Sequence, residues 1–516
     1  MARKKVGIGV QNIQDFAIDN LIYVDKTEKI YELMQLGKHN FIVRPRRFGK
    51  SLLLDTIAAI YEGSKEQFQG TWAYNNIDWA AETRPTLRID FTLIESDACS
   101  LEQGLQAYLQ PIAEDLELNL TGNSAKDMFK RIIEHLGKTK PIAILIDEYE
   151  MAITDLVGKD EARLEENIFT LKKFYGTMKG SGRYIHRTYI TGVTKIGQIG
   201  ILSDLNMLND LTLDERFTTL LGYTETELRH YYAEYITAAA KKYNMPETEI
   251  LGHIKHRYNG YSWDGATRVY NPFGTLNFLD NRTFVNFWFA TGNPKFLIEQ
   301  MREKAFYNIE NQAVNGIIFE KFDIENIELT SLLFQTGYLT VKELGERDNY
   351  YVLDYPNHEV RESMYQFLID DLAKNIHRGD SGLTMIDLKK AFLVRDTEQV
   401  REILNGILSD LPNEAFLKQT EGLFHGLVHI IFNYLGIFIK SEVHSSRGRA
   451  DAIVETPTDV FIFEFKINKT AAEAMAQIEK KKYADKYRAS KKTLNGIAFN
   501  YNSIERCIDE WEEKTL

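Results

Sequence analysis

The sequence predicts an α/β chain in three segments: an N-terminal domain on a parallel sheet, a helical lid and middle region, and a smaller C-terminal α/β domain. Three observations carry this reading. Four short apolar runs alternate with helical stretches between Asn40 and Gly200, the pattern of a parallel sheet with helical crossovers. A mostly helical composition follows to about Asp410. Two further apolar runs, joined by a four-residue turn sequence, then mark the last hundred residues. The boundaries expected are 1–215, 216–410 and 411–516, and roughly 150 residues per domain gives about three cores for this length.

The N-terminal strands are read at FIVR (41–44), TLRIDFT (86–92), IAILID (142–147) and RTYITG (187–192). Thr224 opens the helical stretch to Tyr258 as the first residue of TETEL, a Thr-x-x-Glu capping pattern, and this stretch is a candidate lid. The segments YNGYSW (258–263) and YNPFGTLNFL (270–279) carry the Gly, Asn and Pro of loops. Near the C-terminus a helix-like stretch (415–435) precedes the runs ADAIVE (450–455) and VFIFEFK (460–466). Between them TPTD, with Pro457 and Asp459, predicts a hairpin turn. A Lys-rich helix over 471–489 completes the reading.

Composition narrows the class. Hydrophobic residues make up 44% and charged residues 26% of the 516, which excludes large-scale disorder. No apolar run approaches the ~18 residues of a membrane span, and none has the form of a secretory core. Cys99 and Cys507 stand far apart without a CxxC or His pairing. That argues against a zinc site and a disulfide framework and fits a reducing cytoplasm. The net charge of −12 opposes generic attraction to a polyanion, so contact with nucleic acid has to use local basic patches.

The chemistry of the N-terminal domain begins at Gly49-Lys50-Ser51, between an apolar strand and an amphipathic helix. Backbone N–H groups at such a junction cradle phosphates, Lys50 reaches the β- and γ-phosphates, and the Ser51 hydroxyl binds Mg²⁺. The general GxxxxGK[ST] pattern has a glycine where this chain has Arg44. A chance GKS turn is the bland alternative. The second element is Asp147-Glu148 at the end of an apolar strand. Asp147 would hold Mg²⁺ through water and Glu148 would polarise the attacking water; an acidic strand end that merely starts a helix is the alternative. Thr191 and Thr194 follow at the end of RTYITG, placed to sense a γ-phosphate.

The run YVDKT (23–27), RPRRFGKS (44–51), LIDEYE (145–150), TGVTKI (191–196), YNGY (258–261), YNPF (270–273) and QTGYLT (335–340) resembles the prokaryotic AAA-ATPase-like family over about residues 5–370. The resemblance implies a P-loop ATPase domain that binds ATP with Mg²⁺ at Lys50 and Ser51, with the arginine-rich loop in place of the general glycine. Arg46 and Arg47 would complement phosphate charge, with solvated loop arginines as the alternative, and Arg216 in LDERF is a candidate finger or sensor set against a plain surface ion pair, the favoured reading. ATPases of this broad type also admit a homo-oligomer whose neighbouring copy completes the site.

The C-terminal constellation is Asp451 in GRAD at the start of one strand and Glu464-Phe465-Lys466 at the end of the next. Period-two alternation puts Glu464 and Lys466 on one face and Phe465 on the other. VFIF before Glu464 reads as a strand buried on both faces, where Glu and Lys need pairing or a metal. Asp451 and Glu464 are hard oxygen ligands for Mg²⁺, or Mn²⁺, and Lys466 can position the attacking water beside a scissile phosphate. A buried Lys–carboxylate pair is the structural alternative.

These residues resemble the PD-(D/E)XK nuclease superfamily over about 415–510, which implies an α/β restriction-endonuclease-like fold. By that resemblance Glu421, in EGLFHGLVH, supplies a further acidic metal ligand, His425 shares its helix face, and Gln477 and Tyr483 support the site. Lys480, Lys481, Lys482, Lys486, Arg488, Lys491 and Lys492 form a basic cluster nearby, either a phosphate-binding patch or a solvated helix face.

The function expected is an ATP-binding, ATP-hydrolysing protein that regulates an attached Mg²⁺-dependent nuclease, with DNA favoured as the nucleic-acid partner. The alternative is a nucleotide switch that binds a protein or nucleic acid without cleaving it. Translocation along DNA has no helicase motif set to support it, and a role in defence or mobile elements is an association only.

Overall fold

The structure is a computed structural model of the chain. It describes residues 3–154, 156–157, 159–195, 202, 208–288, 297–298, 300–301, 304, 306, 309–319, 328–345, 349–372, 381–409, 424, 426, 428–436, 440–443 and 451–516. Two compact units emerge. One comprises Met1–Gly292 with Glu310–Glu359, the other Asn293–Ile309 with Val360–Leu516. The stretch 216–410, read from sequence as one middle region, therefore contributes to both.

The first unit is built on strands β1 (His39–Val43), β2 (Thr86–Asp90), β3 (Ile142–Asp147), β4 (Ile185–Gly192) and β5 (Leu208–Asp210), in spatial order β2-β3-β4-β1-β5. All pairings are parallel. The four strands read from sequence form within a few residues of their expected bounds; β1 and β3 are apolar runs short enough to be buried on both faces, whereas β2, at the edge of the sheet, alternates buried Leu87 and Ile89 with exposed Arg88. β1 and β3 are buried along their whole length. Register matters for the site. Val43 lies beside Gly192, and Asp90 beside Asp147, so the strands end together at one sheet edge. In open parallel sheets that carboxyl edge is where ligands bind.

The stretch from Thr224 is helical as expected, in three pieces: Glu225–Tyr231, Ala233–Tyr243 and Glu247–Tyr258. Thr224 makes the full capping box with Glu227, and the helices bury Leu228, Tyr232, Ile236, Ile250 and Ile254 together with Ile22 and Val24. Within the later part of this unit a three-stranded sheet was not separated by sequence reading. Its strands are β6 (Gln312–Asn315), β7 (Thr340–Leu344) and β8 (Tyr350–Asp354), in order β6-β8-β7. They are four or five residues long, too short for periodicity to identify.

The second unit carries β9 (Lys440–Val443), β10 (Ala452–Glu455), β11 (Asp459–Ile467), β12 (Thr493–Asn502) and β13 (Cys507–Thr515), in order β13-β12-β11-β10-β9. β10 and β11 form the antiparallel hairpin expected at TPTD. Its turn is closed by Thr456 N–H donating to Asp459 O at 2.9 Å. β11 then runs parallel to β12, and the crossover between them is the Ala471–Lys481 helix.

The single Lys-rich helix expected over 471–489 is corrected by the structure. The helix ends at Lys481, Lys482 takes a left-handed conformation with φ 52°, and a 3₁₀ turn covers Asp485–Ser490. The break turns Tyr483, Ala484 and Tyr487 inward against Ile453, Ile462 and Met475, contacts that a continuous helix would point elsewhere. No helix among the described residues is long and apolar enough to cross a membrane.

Candidate functional site

The phosphate loop joins β1 to the Lys50–Tyr61 helix. Gly49 sits at the helix N-terminus with φ 95°, a left-handed conformation that favours glycine. Arg47 also has positive φ, 67°. Lys50 is almost fully buried. Its Nζ donates to the carbonyls of Arg44 at 3.2 Å and Pro45 at 3.4 Å and pairs with Glu148 Oε1 at 3.2 Å. Ser51 Oγ donates to Asp147 Oδ2 at 2.5 Å, and Thr191 Oγ1 donates to Asp147 Oδ1, also at 2.5 Å. β4 lies between β1 and β3, which is how Thr191 reaches Asp147.

Lys50, Ser51 and Glu148 border a cavity of about 360 Å³ within the first unit, and Asp147, bonded to Ser51, is not among its lining residues. Arg46, Arg47, Gly49, Lys50, Ser51 and Glu148 line it, bringing cations, backbone N–H groups and a carboxylate together. Val10, Phe16, Tyr23, Leu220, Leu221 and Phe273 line it as well. A lining that combines cations at a helix N-terminus with apolar side chains suits a nucleotide, the former for its phosphates and the latter for its base. The apolar lining was missed in sequence because its residues come from three separated segments. The nearest signals were YVDKT (23–27) and YNPF (270–273), which carried the family resemblance without a role in the site. Ser51 and Asp147 are adjacent oxygen donors of the kind Mg²⁺ takes, so the residues fit the ion.

Arg44 has a different place. It is fully buried behind the loop, with Nη1 donating to the carbonyls of Val43 and Thr212 at 2.9 Å and Nη2 to that of Phe217 at 3.4 Å. Its guanidinium stacks 3.9 Å from the Trp263 ring. Burial pulls its pKa down to about 9, with Asp210 opposing.

The motifs of the middle region close around the loop as well. Trp288 Nε1 donates to Arg46 O at 2.9 Å, Phe48 packs edge-on against Tyr261 with centroids 4.8 Å apart, and the Arg47 guanidinium lies 5.3 Å from the Phe273 ring. A Cβ on Gly337 would come within 2.7 Å of the Pro45 side chain. YNGY, YNPF and QTGY are thus supports of the phosphate loop. Arg216 is mostly exposed, bonded to Asp214, and does not border the cavity.

In the second unit, Ala452 opposite Phe463 brings Asp451 level with Glu464. Asp451 Oδ2 accepts the Phe465 N–H at 3.0 Å. Lys466 Nζ donates to Glu464 Oε1 at 3.2 Å and to Gln477 Oε1 at 2.8 Å, and Gln477 Nε2 reaches the Tyr483 hydroxyl at 3.4 Å. Alternation places Phe465 on the opposite face, against Phe424 and Phe499. Glu464 is 1% exposed, and its Oε2 has no hydrogen-bond partner among the described residues. Burial first and the charge of Asp451 second push its carboxyl up to about 7, with Lys466 opposing.

A buried, unpartnered carboxylate oxygen beside a second carboxylate is what a hard divalent cation takes. The donor set fits Mg²⁺ or Mn²⁺, although the described residues supply two carboxylates and no cluster of three metal-binding side chains. Glu421 and His425 lie outside the described residues. Gln477 and Tyr483 join the site, while Lys480, Lys481, Lys482, Lys486, Arg488 and Lys491 are exposed. Lys492 pairs with Glu455 and Arg488 with Asp485.

The fold and these two sites define a protein that joins a nucleotide-binding α/β domain to a nuclease-like one. Residues 7–202 match the family described as predicted AAA-ATPase, and residues 419–511 match the PD-(D/E)XK nuclease superfamily. A protein of Azotobacter chroococcum mcd 1, described as an uncharacterized protein in the vnfD 5′ region, is 30% identical over 526 residues, covering 98% of each chain. The chain belongs to the AAA-ATPase-like family and carries a C-terminal PD-(D/E)XK nuclease-superfamily domain.

Proposed function

We propose that the protein binds and hydrolyses ATP with Mg²⁺ in the cavity of the first unit and that this nucleotide cycle governs Mg²⁺-dependent cleavage of nucleic acid at Asp451, Glu464 and Lys466. The observation that carries the nuclease reading is the Glu464 carboxylate, buried with Oε2 unpartnered beside Asp451 and with Lys466 held at 3.2 Å. A chain with no use for a cation there would lose little by replacing such a group with an apolar one. Mg²⁺ between Asp451 and Glu464 would supply Lewis-acid activation of the phosphodiester. Lys466, oriented by Gln477 and Glu464, would hold the attacking water. At the other site Lys50, Arg46 and Arg47 bind phosphates, Ser51 and Asp147 hold the ion, and Glu148 orients water, with Thr191 fixing Asp147. DNA is the favoured substrate, by family analogy.

The deciding experiment uses the full chain on linear, circular and single-stranded DNA and on RNA, with Mg²⁺, with and without ATP. Wild type is expected to cut at least one substrate that Glu464→Ala leaves intact, and Lys50→Ala is expected to lose ATP binding and ATP control of cutting. No difference between wild type and Glu464→Ala removes the nuclease reading and leaves a nucleotide-dependent binding switch. Unchanged ATP affinity in Lys50→Ala removes the phosphate-loop reading.

A further inference from the structure

Glu150 is a buried acid that borders neither the cavity nor solvent. It is 2% exposed and lies three residues after Asp147. Its Oε1 accepts the backbone N–H groups of Val193 at 2.6 Å and Thr194 at 2.8 Å, with Thr194 Oγ1 at 3.5 Å. Its Oε2 has no hydrogen-bond partner among the described residues. The carboxyl occupies the space beside Gly192, where a Cβ would overlap Oε2 and the Tyr149 ring. Burial first, and the charge of Glu148 second, push this carboxyl above the usual range.

A buried acid with an unsatisfied oxygen is unfavourable for stability, and its position shows what it holds. Glu148 has φ 50°, a left-handed conformation that a non-glycine residue keeps only when its surroundings impose it. On one flank Asp147 is fixed by Ser51 and Thr191. On the other, Tyr149 N–H donates to Thr191 O at 3.1 Å and the Tyr149 hydroxyl to Thr194 O at 3.0 Å. Glu150 completes this flank by gripping two consecutive amides just past β4. The next amide, that of Lys195, is held by Gln335 Oε1 at 2.7 Å.

We propose that Glu150 is a positioning residue for ATP hydrolysis: it clamps residues 193–194 to the Asp147–Glu148 turn and so keeps Glu148 in the strained conformation that faces the cavity. The inference rests on the ATPase reading above, and it assigns a step to a residue that does not touch the nucleotide. Loss of the clamp lets the Glu148 turn relax, which slows the chemical step while the phosphate loop still binds nucleotide.

The test measures equilibrium binding of a fluorescent ATP analogue and steady-state ATPase on the full chain. Glu150→Ala is expected to lower kcat by about 10- to 100-fold, the scale of a small misplacement of a catalytic group, with nucleotide affinity within about 3-fold. Glu150→Gln keeps an acceptor for both amides and is expected to recover most of the lost kcat. Gly192→Ala crowds both the carboxyl and the Tyr149 ring, so it displaces this flank without removing Glu150 and gives a second route to the same split if Glu150→Ala fails to fold. The proposal is overturned if kcat is unchanged in both Glu150→Ala and Gly192→Ala, or if binding falls in step with kcat. Glu150→Gln as slow as Glu150→Ala also overturns it. Wild type without turnover, or Lys50→Ala binding nucleotide normally, defeats the ATPase reading itself; a normal contrast there with no Glu150 effect defeats only the clamp.

Discussion

Arg44 occupies the position of the first glycine in the general phosphate-loop pattern, and its side chain points away from the cavity into the protein. Three carbonyls accept from the guanidinium and Trp263 stacks on it, so the loop is held from behind by a side chain. Arg44→Gly would restore the general pattern while leaving the carbonyls of Thr212 and Phe217 without this donor and a guanidinium-sized void. We expect a loss of stability on the order of 3 kcal/mol, read by denaturant unfolding, and weaker ATP binding. An unchanged midpoint with equal or tighter binding would refute a structural role for the arginine. At this scale the residue types of both sites were legible, since Lys50 and Ser51 open a helix after an apolar strand and Asp147, Asp451, Glu464 and Lys466 stand at or beside strand ends. Arg44's inward turn and Glu150's clamp were not, because each depends on partners 40 or more residues away.

Individual strands carry the pH response. β1 begins with His39 and β4 contains His186, and burial, ahead of neighbouring cations, pushes both imidazoles down to about 4. A depressed histidine binds its proton more weakly in the folded state than the ordinary ~6.5 of the unfolded chain. Its contribution to stability is therefore complete above pH 6.5 and is lost as pH falls toward 4. These two groups are expected to contribute a fall in the thermal midpoint of the first unit between pH 6.5 and 5, against the opposite trend of Glu150, whose raised carboxyl favours the folded state as pH falls. The double variant His39→Gln/His186→Gln is expected to flatten that fall; an identical pH profile in the variant would exclude these two groups as its cause. Elements of this kind were readable where an apolar run had strand length, as in β1, β3 and the β10–β11 hairpin. The β6–β8 sheet and the end of the Lys-rich helix were not, since short strands lack period and the helix breaks for tertiary contacts by Tyr483 and Tyr487.

The whole molecule divides where contacts divide, and the second unit takes in the chain from Val360 onward together with Asn293–Ile309. The helices Ser381–Val394 and Thr397–Ser409 are tied into the C-terminal sheet at several points. Arg395 pairs with the fully buried Asp459 at the hairpin, Thr397 Oγ1 donates to Glu513 at 2.8 Å, and Asn405 Oδ1 accepts the Ile508 N–H at 2.6 Å. Phe392 packs between Phe461 and Phe463, with centroids 5.2 and 5.9 Å away. One face of the sheet is covered by the Ala471–Lys481 helix, and Phe461 and Phe463 on the other need this second cover. A fragment of residues 411–516 would strip the Phe392 cover from both rings, with Phe463 keeping Phe432 and Trp511, and leave Asp459 without its cation, the kind of change that removes several kcal/mol from a domain of marginal stability. We therefore expect 411–516 to lack a cooperative thermal transition and to aggregate, while 360–516 melts cooperatively and retains near-ultraviolet circular dichroism. A cooperative 411–516 fragment with the midpoint of 360–516 would show that the two helices are accessory to the nuclease fold.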